Sequence, residues 1–275
     1  IGMAKTTRDE VIQAMVGRDI SLFAKRTMPC QKKGTEPVLR VDGLCSDLFN
    51  QISFDLYAGE ILGFFGLVGA GRTEVMRAIF GADPYTKGSV ILNGKEIHCK
   101  SPHEAIERGI ALISENRKEE GILPNFDNKD NISLASLKKY MSGIVINDNK
   151  KKQNALEKGK QVGLKPNDPA FMTVSLSGGN AQKVILARWM STDATVMIFD
   201  EPTKGIDIGA KADIYLLMEK MAEQGVAIIM VSSELTEVMG MSDRIIVMRD
   251  GEITGELAKE EFSEQNILNY TVEGN

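Results

Sequence analysis

Apolar and polar positions repeat along this chain with two periods, and the places where one gives way to the other mark most of its elements. From 38 to 97 the period is mainly two. Ile52, Phe54 and Leu56 alternate with Ser53, Asp55 and Tyr57, which predicts a strand with one buried face and one wet face. Residues 89–92 and 95–97 flank Asn93-Gly94, a pair suited to the positive φ of a tight turn, so a hairpin is expected there. Residues 61–65, 110–113, 195–199, 226–231 and 244–248 are nearly continuous apolar runs, as strands inside a sheet are.

Between these runs the period changes to that of a helix. Ile214, Leu217, Met218 and Met221 fall at i, i+3, i+4 and i+7 in a helix expected over 210–224, a stripe that is core packing and not a cofactor box. Helices are also expected over 74–80, over 181–190, and from the Ser101-Pro-His-Glu104 capping box to about Arg108. Another begins near Glu234, with Ser233 as its N-cap. The stretch 114–174 is charged and irregular, with helices expected over 133–141 and 152–162, and reads as an insertion into an α/β core. Its lysine run, 150–152, predicts a solvated face in preference to a nucleic-acid contact. Asp250-Gly251 turns the chain into a last short strand.

The ends resemble each other weakly. Gly2-Met-Ala-Lys5 leads to a helical pattern over 8–17, as Gly255-Glu-Leu-Ala-Lys259 leads to one over 261–272. Either this is coincidence among common helix-forming residues, or the chain is the second half of a polypeptide with two similar halves. A polar, proline-bounded stretch over 26–37 reads as a linker.

Composition narrows the picture. With 43% of its 275 residues hydrophobic, the chain can bury a full core. No apolar run approaches the roughly 18 residues of a spanning helix. Residues 1–18 mix charges of both signs without the apolar centre of a signal peptide. Cys30, Cys45 and Cys99 are widely spaced, which predicts free thiols in a reducing compartment and no zinc site. A net charge of -5 argues against a broad nucleic-acid surface.

Three segments carry candidate chemistry. Between the 61–65 run and the first expected helix lie Gly66, Leu67, Val68, Gly69, Ala70, Gly71, Arg72, Thr73 and Glu74. Glycines at 66, 69 and 71 let successive backbone N–H groups curl round a phosphate at the positive end of the helix, with Thr73 placed to bind Mg²⁺. A plain glycine-rich turn is the alternative. Arg72 stands where the pattern GxxxxGK[ST] has lysine. The 195–199 run ends in Asp200-Glu201, where Asp200 can hold the metal and Glu201 can polarise a water, or the pair can merely cap the next turn. Ser177, Gly178, Gly179, Asn180 and Gln182 open a helix as a second anion site, though one such turn alone is an ordinary helix entry.

In this order the segments resemble the ATP-binding subunit of ABC transporters over 38–257. The resemblance implies an α/β fold, a P-loop NTPase core with an antiparallel β subdomain and an inserted helical subdomain. It divides the chain into 1–36 (helical remnant of a preceding half plus linker), 37–114 with 176–257 (core), 115–175 (helical subdomain) and 258–275 (helical tail). Gly66 to Thr73 then matches Walker A, Asp200 Walker B, Glu201 the catalytic position, Ser177 to Gln182 the signature and Asp207 the D-loop. Glu115 falls where the family has its Q-loop glutamine, with its carboxylate placed to approach Mg²⁺ beside Thr73 and Asp200, and Ser233 where the family has a switch histidine. Gly69-Ala-Gly-Arg72-Thr-Glu, Glu115-Asn-Arg-Lys, Ser177-Gly-Gly-Asn and Asp200-Glu-Pro-Thr-Lys-Gly-Ile-Asp narrow the likeness to the second ATPase half of bacterial importers of ribose, galactose and xylose.

That likeness implies ATP and Mg²⁺ as ligands, and a second ATP-binding half docked head to tail. It also implies membrane permease subunits, a sugar-binding protein met indirectly, no nucleic acid, and a peripheral place on the cytoplasmic face of the bacterial inner membrane. The departures at Arg72, Glu115 and Ser233 point to a weak own site, while the intact Ser177-Gly178-Gly179 turn completes the competent pocket of the partner half. A non-hydrolysing regulatory half and a soluble ABC ATPase outside transport are the alternatives.

Overall fold

The two periods in the sequence sort into two sheets. The computed structural model describes residues 36–272. The chain enters through strands β1 (Leu39–Cys45), β2 (Ile52–Leu56) and β3 (Ile61–Phe65), then helix α1 (Arg72–Ile79), hairpin β4 (Lys87–Leu92) and β5 (Lys95–Ile97), helix α2 (Pro102–Glu107) and strand β6 (Ile110–Ile113). Helix α3 (Asn128–Ser133), the small hairpin β7 (Met141–Ser142) and β8 (Val145–Ile146), and helices α4 (Asp148–Gln161) and α5 (Gly178–Trp189) follow. Strand β9 (Val196–Asp200), helix α6 (Ile208–Glu223), strand β10 (Ala227–Val231), helix α7 (Leu235–Met241), strands β11 (Arg244–Arg249) and β12 (Glu252–Ala258), and helix α8 (Glu264–Thr271) complete the described chain.

The alternating strands form an antiparallel sheet in the order β2-β1-β4-β5. The continuous apolar runs form a second sheet, β12-β11-β3-β10-β9-β6, parallel except for β12. Every residue of β3, β9 and β10 is buried, as expected of strands covered on both faces. The sheets meet through Phe54 and Phe64, whose rings pack edge to face at 5.1 Å. Asn93-Gly94 and Asp250-Gly251 carry positive φ at both positions, the geometry their hairpins require. Ile214, Leu217, Met218 and Met221 are buried, so the α6 stripe is core.

Helices α3 and α4 pack on each other and on α5, and their apolar residues Ile132, Ala155 and Val162 join the same core as the large sheet. Here two expectations are corrected. The helix expected over 133–141 is instead the end of α3, then a tight 3₁₀ stretch, Leu134–Tyr140, broken at Ser136, then the β7–β8 hairpin. The Ser136 hydroxyl donates to the Ser133 carbonyl and to Tyr140, holding the backbone out of the α ladder. The helix expected from 152 starts at Asp148, because the Asn147 side chain caps the Lys150 N–H.

The expected 8–17 helix, residues 26–35 of the linker and Cys30 lie outside the described residues. Cys45 and Cys99 are free and buried. Among the described residues no helix is long and apolar enough to cross a membrane.

Candidate functional site

Parallel topology gathers the candidate residues at one edge of the large sheet. Val231 pairs with both Phe64 and Asp200, and Ile113 with Phe199, so the segments after β3, β6, β9 and β10 leave the sheet side by side. Such carboxyl ends are where open α/β sheets place ligands. The Gly66–Gly71 loop continues β3, and Gly69 and Gly71 hold φ of +84° and +89°, conformations that side chains rarely adopt. Gly71 is the N-cap of α1 and gives it no side-chain cap, which leaves the helix's first N–H groups to the loop.

Across from α1, Asp200 ends β9 almost fully buried. Thr73 hydrogen-bonds its carboxylate, while Oδ1 is buried with no hydrogen-bond partner. Burial first, and the nearby Glu201 and Glu115 after it, push the Asp200 carboxyl up to about 7 against the pull of the Thr73 bond and Arg72. Among the described residues no cluster of three His, Cys, Asp or Glu side chains could hold a metal. An orphaned carboxylate oxygen beside a hydroxyl nevertheless fits Mg²⁺, which takes few protein ligands and completes its shell with water and phosphate oxygens.

Glu201 has φ of +48°, a left-handed backbone that marks strain at a site. Its N–H donates to the Val231 carbonyl, and its carboxylate accepts from both the hydroxyl and the backbone N–H of Ser233. Burial raises the Glu201 carboxyl above its usual range, with the Ser233 bonds and Arg72 opposing.

Ser233 is therefore not the N-cap expected of it. Helix α7 starts after Glu234 with no side-chain cap, and it is the Ser232 hydroxyl that accepts from the Glu234 N–H. The reason is that Ser233 follows β10 directly beside Glu201, and the carboxylate takes its hydroxyl.

Arg72 departs from what a phosphate-loop cation does. Its guanidinium is buried, Nη1 donates to the Ser232 carbonyl at 2.8 Å, and Nη2 lies 3.8 Å from Glu201. The planar fork thus faces the Ser232 carbonyl and Glu201 at once.

Glu115 lines a cavity of about 600 Å³ with Thr73, Asp200 and Lys204, and its carboxylate is ion-paired with Lys204.

The second anion turn faces another cavity, of about 510 Å³, that shares no lining residue with the first. Ser177 caps α5, its Oγ accepting from the Asn180 backbone N–H at 3.5 Å and also from the Asn180 side-chain amide at 3.1 Å, and Asp207 caps α6. A Cβ on Gly179 would lie 2.6 Å from that of Ala210, so α5 and α6 cross closely there. Ser177 and Gly178 are exposed, whereas Gln182 is buried with both amide atoms unpartnered, away from the turn.

Residues without a sequence-derived role also shape the site. Arg117 donates to the carbonyls of Gly178 at 3.1 Å and Lys204 at 2.9 Å, tying the signature turn to the segment after Glu201. Glu237 is buried in α7, where its carboxylate accepts from Thr203, Ser232 and Lys211. Its one sequence signal was position: a carboxylate four residues before Met241, on a face that is otherwise apolar.

Comparison with known proteins follows the same lines. A family model described as ABC transporter matches residues 49–204. The chain is 46% identical over 267 residues to a putative ribose/galactose/methyl galactoside import ATP-binding protein of Rhizobium etli, 96% of this chain and 50% of that protein. It is 44% identical over 270 residues to a ribose import ATP-binding protein of Lactococcus lactis (98% of this chain, 54% of the relative). To an arabinose import ATP-binding protein of Mannheimia succiniciproducens it is 43% identical over 269 residues (97% and 53%). The chain thus spans about half the length of these relatives. Among solved structures, a nucleotide-free ATP-binding cassette from an ABC transporter superposes with a TM-score of 0.71 at 20% identity, covering 86% of this chain and 95% of that one. A dimeric cassette bound to ADP and Pi gives 0.70 at 21% identity, covering 82% and 100%. At such identities these two speak for the fold.

Proposed function

This chain belongs to the ABC transporter family, and from that premise we propose that it is an ATP-binding and hydrolysing half that powers import of a monosaccharide. The observation that carries the reading is the unpartnered Asp200 Oδ1 beside Thr73, opposite a glycine-rich loop and an uncapped helix start. Thr73 and Asp200 would hold Mg²⁺, with Glu115 within reach of it, and the ion would neutralise phosphate charge. The backbone N–H groups of the 66–73 loop would bind and orient the phosphates.

The names of the relatives support sugar import, and a second ATPase half and membrane permease subunits are the partners that go with it. A sugar-binding protein would act indirectly, and the chain would sit peripherally on the cytoplasmic face of the membrane. Two separate cavities support a head-to-tail arrangement, in which Ser177, Gly178 and Gly179 complete the pocket of the partner half.

The own pocket would turn over slowly. Glu201 is held by Ser233 and Arg72, so its carboxylate is not free to polarise a water, which also favours the neighbouring reading of a regulatory half. Arg72→Lys removes the guanidinium from Glu201, leaves only the Ser233 bonds on that carboxylate, and is expected to raise single-turnover hydrolysis roughly threefold to tenfold. No change in a rapid-quench measurement would mean that the pair is not what restrains the site.

The nucleotide reading itself is tested by calorimetric titration of MgATP. Asp200, with its carboxyl raised to about 7, must shed its proton before it can hold a cation. Binding is therefore expected to weaken as the pH falls below that value, by up to about tenfold per unit, and to release a proton. Undetectable binding at pH 8 would end the proposal.

A further inference from the structure

Among the described side chains of the Thr73–Asp200 cavity are three cations, Arg77, Arg117 and Lys204. Two are committed elsewhere. Arg77 donates to Asp83 at 2.7 Å and to Glu120 at 3.2 Å, and Arg117 clamps the Gly178 and Lys204 carbonyls. Lys204 differs: its ammonium pairs with Glu115, with both side chains well exposed, at 60% and 42%. Its charge interacts with Asp200 and Glu201 as well as with Glu115.

We propose that Lys204 is the cation that reads the terminal phosphate of a nucleoside triphosphate in this cavity, with Glu115 the counter-ion that the phosphate displaces. The inference rests on the nucleotide reading above. Arg72, at the loop position from which a cation would ordinarily meet the phosphates, is turned to the Ser232 carbonyl and Glu201. Ser233, at the switch position, is bonded to the same carboxylate. Neither is presented to the phosphates, and a terminal phosphate beside Thr73 and Asp200 would need a cation from another element. Lys204 supplies it from the segment after β9. A solvent-screened ion pair such as Lys204–Glu115 has little net stability, so a phosphate with greater charge and three acceptor oxygens exchanges for the carboxylate at small expense. Lysine suits this exchange, being a flexible point charge that follows whichever anion is nearer. A nucleoside diphosphate places no phosphate there and leaves the pair intact, so the device separates ATP from ADP.

The test is calorimetric binding of MgATP and MgADP to the 275-residue chain and its Lys204→Met and Lys204→Arg variants, with melting curves to establish that each is folded. Lys204→Met is expected to weaken MgATP about tenfold, the scale of one lost charge-assisted hydrogen bond, and to change MgADP by less than about twofold. Lys204→Arg is expected to restore most of the ATP preference. Equal weakening of both nucleotides, or unchanged MgATP binding by Lys204→Met, overturns the assignment and leaves the nucleotide reading standing. If the unsubstituted chain binds neither nucleotide, both fall together.

Discussion

A Ser177→Arg variant, placed in the assembled pair of ATPase halves, is expected to lose ATP turnover by about a hundredfold, the scale seen when a preorganised donor to developing charge is removed. Ser177 is exposed at the start of α5, where its hydroxyl and the following N–H groups would form an anion site in a cavity that shares no lining residue with the Thr73–Asp200 cavity, the two being tied by the Arg117 bond to the Gly178 carbonyl. In the proposed arrangement that site serves the partner's nucleotide, and a long side chain there covers the N–H groups the phosphate needs. Ser177→Ala separates this from a loss of folding, since it removes only a cap whose absence costs about 1 kcal/mol. Glu201→Gln in the same assembly is expected to lose less than about threefold, because Arg72 and Ser233 already restrain that carboxylate. Steady-state ATPase of the three variants decides the matter. Should Glu201→Gln prove as damaging as Ser177→Arg, the two pockets do not divide the labour as described.

The second large effect is on stability, at Glu237. This buried carboxylate accepts from the Thr203 and Ser232 hydroxyls and from Lys211, and so joins the segment after Glu201 to the end of β10 and to α6. Glu237→Gln keeps the shape but leaves the little-exposed Lys211 with Glu234 alone. A loss of about 2–3 kcal/mol follows from breaking bonds to a buried charge, or roughly 4–6 °C in melting temperature for a chain of this size. Burial works to raise the Glu237 carboxyl, but Lys211 and the hydroxyl bonds outweigh it and hold the group below the usual glutamate range. Its stabilisation is therefore full at neutral pH and lost as the pH falls through that lowered value. The gap in melting temperature between the parent chain and Glu237→Gln is expected to close on acidification. A gap that is small at pH 7, or that widens in acid, would show that the carboxylate does not hold these segments together.

Much of this was legible beforehand, for reasons that differ by residue. The β2 alternation, the continuous runs of β3, β9 and β10 and the Asn93-Gly94 turn are local patterns, and each became the element expected of it. The stretch around Ser136 departs from the expected helix because helical propensity there yields to a side-chain hydroxyl that bonds back to the chain. Ser233 departs from the expected N-cap because the partner that claims its hydroxyl, Glu201, follows another strand.

By itself the sequence determined where the strands of the two larger sheets run, where the backbone must turn with positive φ, and which segments carry glycine-rich turns and acidic groups. These follow from the side chains of neighbouring residues and from the conformations glycine alone takes readily. Only the tertiary structure decided what the charged groups do. Arg72 meets a carbonyl 160 residues away and Lys204 a carboxylate 89 residues away, because the parallel order of β3, β10, β9 and β6 brings their ends together. Charged groups take the partners that the sheet sets beside them, and that choice is a property of strand order, which no local pattern records.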